Sequence, residues 1–164
     1  MTSTRSGRLH LTLIMGLLVL LHFYVRPRFG ATRLSPDLLL FALITLAMRS
    51  GPGTGAVAGF LVGLVNDVLS PARFGASALA HTIVGYAAAW GRAVFFADNI
   101  LVTAGFVAVG LWLRDLILLV ASGGSGNLFE SLALWAPLQG IITAIVGAAV
   151  LFAARQFFDL RVDA

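Results

Sequence analysis

Runs of apolar residues broken by short Gly-, Pro- and Arg-containing stretches divide the chain into six segments, the pattern of one membrane domain with several spans. The first runs from about Leu9 to Val25, and an Arg-rich connector, Arg26 to Ser35, follows it. Ser35, Pro36 and Asp37 read as a helix start, with Ser35 as N-cap, Pro36 at the first helical position and an acid in the first turn. The second segment, Leu38 to Met48, is short; Arg49 to Gly53 is a turn; the third runs from Thr54 to Leu69 and stops at Ser70 and Pro71. The fourth covers Gly75 to Val94, and the fifth runs from beyond Asp98 and Asn99 to Val120. A glycine-rich loop, Ser122 to Asn127, precedes an interfacial stretch, Leu128 to Ala136. The last helix is expected from Pro137 to Ala154.

Composition supports a membrane setting. Of the 164 residues 59% are hydrophobic and 11% charged, far below the ~25% charged residues of an ordinary soluble domain. Arg5 and Arg8 ahead of the first segment resemble the start of a signal peptide. The segment is long enough to span and ends in Phe23, Tyr24, Val25 and Arg26 without small residues, so a retained first helix is expected.

With six spans, both termini share a side. Arg5, Arg8, Arg49, Arg92, Arg155 and Arg161 fall on that side; Arg26, Arg28, Arg33 and Arg73 fall on the other. Six arginines against four favour cytoplasmic termini. A five-span arrangement with a re-entrant second segment competes. The formal charge of +4 does not indicate nucleic acid, because the arginines are dispersed between apolar runs. With no cysteine, disulfides and thiolate chemistry are excluded.

Gly55, Gly59 and Gly63 recur every four residues and share one helix face, a surface for close helix packing inside the fold or against a partner. Gly85 on the fourth segment, and Gly140 and Ala144 on the last, mark similar small faces. Asp67 continues the glycine series and should point into the bundle. By depth, Asp67, His81, Arg114 and Asp115, with Gln139, fall near one membrane face and are expected to form a polar cluster. Within it, Asp67 is expected to pair with Arg114. The adjacent Arg114 and Asp115 project in different directions and are not expected to be a simple pair. His10 and His22 are too far apart on the first helix to share a site. No metal-ligand spacing, phosphate loop or nucleophile motif is present, so neither catalysis nor a cofactor is expected.

The stretch Pro36, Asp37, Arg49, Gly51, Pro52, Gly55, Gly59, Gly63, Asp67, Leu69, Ser70, Gly75, Ala78, Leu79, Thr82, Gly85 and Tyr86 resembles the rod shape-determining protein MreD family. The resemblance implies a non-catalytic inner-membrane subunit of the bacterial elongation complex. It implies association with the bitopic protein MreC, the actin-like MreB, the glycan polymerase RodA and a penicillin-binding transpeptidase. The family is similar in fold to the six-helix substrate-binding subunits of energy-coupling factor transporters. That makes a second reading concrete, in which the polar cluster takes a small ligand. Against it, the first helix lacks the Ala-xxx-Ala docking ridge of those subunits.

Overall fold

In the computed structural model, residues 16–24, 28, 34–68, 74–91, 100–121, 123 and 130–157 are described. Their regular structure is entirely helical. Helix α1 covers residues 16–24, and α2 to α5 are Leu38–Ala47, Pro52–Val68, Ala76–Gly91 and Ile100–Ala121. A π-helical turn, Ser131–Trp135, leads into α6, Ala136–Phe157. The expected leading residues from Leu9, and the calls on Arg5, Arg8, His10, Arg26, Arg33, Ser70, Pro71, Arg73, Arg92, Asp98, Asn99 and Arg161, lie outside the described residues, as does most of the Ser122 to Asn127 loop.

Helix α2 lies at the centre. Leu38, Leu40 and Ile44 are fully buried, and Leu39, Phe41 and Leu43 nearly so, so its apolar side chains face neighbours all round. Its ten residues span only about 15 Å, roughly half a hydrocarbon core. Around it, Leu18 of α1, Val84 of α4, Val107 and Leu111 of α5 and Ala144 of α6 complete one apolar core.

Glycines set the distances between helices. A Cβ at Gly55 would lie 2.5 Å from the Gly85 carbonyl oxygen, and one at Gly63 2.5 Å from Ala78 Cα. Gly59 is pressed against the His81 carbonyl. Helices α3 and α4 therefore pack backbone to backbone, with buried Gly55, Gly59, Gly63 and Asp67 forming one line along α3. Elsewhere Gly140 faces Ala108 of α5, Gly110 faces Ile44 of α2, and Gly147 faces the Phe41 ring.

The outer surface reverses the soluble pattern. Val57, Phe60, Leu61, Val65, Leu79, Trp90, Ile141 and Phe152 are all exposed, while Arg114, Asp37 and Asp67 are inside. Among the described residues two helices are long and apolar enough to cross a membrane, Val102–Ala121 and Ser131–Ala153. The latter corrects one expectation. Interfacial stretch and last span form one continuous helix from residue 130, with Pro137 in its interior. Proline lacks an N–H and its ring crowds the carbonyl four residues back. The wide turn just before it, closed by Ala136 N–H to the Ser131 carbonyl, absorbs that conflict.

Candidate functional site: a buried polar layer

Six helices bring their polar residues to one end of the bundle. His22 closes α1, Asp37 opens α2, Asp67 closes α3, His81 lies early in α4, Arg114 late in α5, and Gln139 and Thr143 early in α6. They form two hydrogen-bonded groups.

The first is built on Arg114, whose side chain is 9% exposed. Its Nη1 donates to Asp37 Oδ2. Its Nε and Nη2 donate to Asp115 Oδ1 at 2.9 and 2.8 Å, and Nη2 reaches Gln139 Oε1 at 3.3 Å. Gln139 Nε2 in turn donates to the Ser35 carbonyl at 2.9 Å. The Asp37 N–H donates to Thr143 Oγ1 at 3.0 Å. His22 Nδ1 accepts from the Leu39 N–H at 3.2 Å and lies 3.5 Å from Asp37 Oδ1. Ser35 Oγ is the buried side-chain polar atom left without a partner among the described residues.

Asp37 is thus the N-cap of α2, accepting from the Leu40 N–H at 3.0 Å. The cap expected at Ser35 moves two residues on, because a carboxylate serves the orphan helix N–H and the guanidinium at once. Unpaired, a buried charge costs several kcal/mol; paired and fully hydrogen-bonded, it is tolerable. One arginine accordingly ties α2, α5 and α6 together.

Asp67 organises the second group and is 1% exposed. Its Oδ2 accepts from the Gly75 and Ala78 N–H groups, each at 2.9 Å, and its Oδ1 from the Ser77 N–H at 3.0 Å. The carboxylate therefore caps α4 from the end of α3. Gly75 has φ +95, a conformation glycine adopts freely. His81 Nδ1 lies 2.8 Å from the Ser77 carbonyl, and its Nε2 3.5 Å from Asn66 Nδ2.

Two pairing expectations are corrected. Arg114 meets Asp37 in place of Asp67, whose three backbone partners already satisfy it. Arg114 also pairs with Asp115, because the long arginine stem folds back across the angle separating adjacent helix positions. Sequence reasoning missed Asp37, His22 and Thr143 as members. The available signal was Asp37 itself, an acid at the mouth of an apolar segment at the depth of Arg114.

The small faces are placed as follows. Gly55, Gly59, Gly63 and Gly85 pack α3 on α4, Gly140 packs α6 on α5, and Ala144 lies in the core. Among the described residues no group of three or more His, Asp or Glu side chains is arranged to hold a metal ion. The polar groups bond to one another and to the backbone, an arrangement suited to holding helices in fixed rotation.

Comparison with known proteins adds the family. No curated protein matches the chain, and no solved structure does. The family model described as rod shape-determining protein MreD matches residues 3–154, nearly the whole chain. The described helices, apolar outside and holding a buried polar layer, fit a membrane protein, and the chain belongs to the rod shape-determining protein MreD family.

Proposed function

We propose that this protein is a non-catalytic, multi-pass subunit of the rod elongation complex in the bacterial inner membrane. In this reading the chain is one polytopic domain of six spans, with both termini cytoplasmic. It binds an MreC-type bitopic protein and works with RodA, a penicillin-binding transpeptidase and MreB in lateral peptidoglycan synthesis. The observation that carries the reading is the family match over residues 3–154. The geometry supports a scaffold because the buried polar residues are spent on internal bonds, leaving the exterior helix faces for partners. Such a subunit acts by contacting one arrangement of its partners better than another. No observation favours the ligand-binding reading.

The test is gentle detergent extraction of the tagged full-length protein from its native membrane, with mass spectrometry of what remains bound. Recovery of an MreC-type protein with the wall-synthesis enzymes is the expected result. Recovery of paired ATPases with a membrane coupling subunit would overturn it in favour of a transporter component.

A further inference from the structure

Helix α5 carries two features that its own fold leaves partly unused. In the bodies of α3 to α6, beyond their first turns, the described glycines Gly55, Gly59, Gly63, Gly85, Gly91, Gly110, Gly140 and Gly147 each have a neighbour where a Cβ would be. Gly105 has nothing within 4 Å. A helix-interior glycine costs about 1 kcal/mol relative to alanine, and here no internal contact requires it. The second feature is Asp115. Its side chain is 23% exposed, and among the described residues the hydrogen bonds it accepts, both from Arg114, reach Oδ1 alone. Arg114 also serves Asp37, so the formal charges of Asp37, Arg114 and Asp115 sum to −1.

Exposed Val109 and Trp112 lie between these features. The spacing 105, 109, 112, 115 follows one helix face, about 15 Å long at the helical rise. Excess negative charge at membrane depth calls for a cation, and an open glycine allows a second backbone to come close.

We propose that this face of α5 docks a partner transmembrane helix that crosses at Gly105 and places a Lys or Arg side chain against the free oxygen of Asp115. Charge complementarity selects the occupant. Lipid tails alone fill the apolar part of the face and leave the second carboxylate oxygen of Asp115, whose first is held by Arg114, without a donor. The inference rests on the scaffold reading and specifies one of its contacts.

The test uses the full-length protein in its native membrane, with a photo-crosslinking amino acid replacing Val109 and, as control, exposed Ile145 of α6. The expected result is a Val109-dependent adduct to another protein, whose crosslinked transmembrane peptide contains Lys or Arg. In that background Asp115→Asn lowers the adduct at least about tenfold, the consequence of losing one member of a desolvated charge pair. Asp115→Glu retains it. Gly105→Leu lowers it independently, in a variant that leaves the Arg114 bonds untouched and fills open space. Adducts only to lipid, only to a second copy of this chain, or to a segment without a basic residue would overturn the proposal. So would an adduct indifferent to Asp115→Asn and Gly105→Leu at equal protein levels. If the wall-synthesis partners co-purify while the Val109 adduct is absent, the α5 contact fails and the scaffold reading stands; if no such partner co-purifies, the scaffold reading itself fails.

Discussion

Arg114 shows how one buried side chain distributes its bonds. Its guanidinium offers five N–H donors, and Asp37, Asp115 and Gln139 take up Nε, Nη1 and Nη2. Removing either member of the Arg114–Asp37 pair strands the other charge in the interior, so Arg114→Met or Asp37→Leu alone should cost about 3–5 kcal/mol. The double variant should cost clearly less than the two together, measured as a double-mutant cycle on unfolding in detergent. Simple additivity would mean that the pair is uncoupled. Asp67 behaves differently, since its partners are backbone N–H groups. Asp67→Asn keeps one acceptor oxygen and should cost about 0.5–2 kcal/mol, the scale of a lost cap, readable as a fall in melting temperature in detergent. That Arg114, Asp115, Gln139 and Asp67 fall at one end of the bundle was legible along the chain, and Asp37 was missed. Which acid met Arg114 was not, because that depends on the rotation of each helix about its axis.

At the scale of elements, the i, i+4 glycines of α3 were readable as a close-packing face, and their partners on α4 emerged only with the fold. Gly59→Ala places a methyl against the His81 carbonyl, where neither backbone can yield easily. A loss of about 1–3 kcal/mol or more is expected. Gly53→Ala, in the first turn of α3 with open space around it, should be neutral or stabilising by up to about 1 kcal/mol. Melting temperatures of the two variants in one detergent check the contrast; equal effects would mean that α3 does not approach α4 this closely. The start of the last helix differs from the sequence expectation for a similar reason. Pro137 is a good starting residue by local propensity, yet a single π-helical turn lets the helix run through it. Packing decides that: the Trp112 indole N–H bonds the Leu132 carbonyl at 3.1 Å, holding the preceding turn against α5.

For the whole molecule, an apolar exterior around a buried polar layer calls for a surrounding of lipid. The proposed topology is testable because the chain lacks cysteine. Arg28→Cys and Gly51→Cys both place a thiol at exposed positions, on opposite sides in a six-span arrangement with cytoplasmic termini. A membrane-impermeant maleimide applied from outside should label the first directly and the second only after permeabilisation. The reverse pattern would invert the orientation, and labelling of both from one side would remove a span between them. Family resemblance, most of the helix breaks and the gathering of Arg114, Asp115, Asp67, His81 and Gln139 at one end of the bundle were properties of the linear chain, since hydropathy, glycine spacing and capping residues act locally. The tertiary structure decided that α2 sits buried at the centre, that Asp37 and not Asp67 pairs with Arg114, that the α3 glycines are spent on α4, and that Gly105 is left exposed. Those outcomes depend on how helices rotate and compete for the same neighbours, and no single segment carries that information.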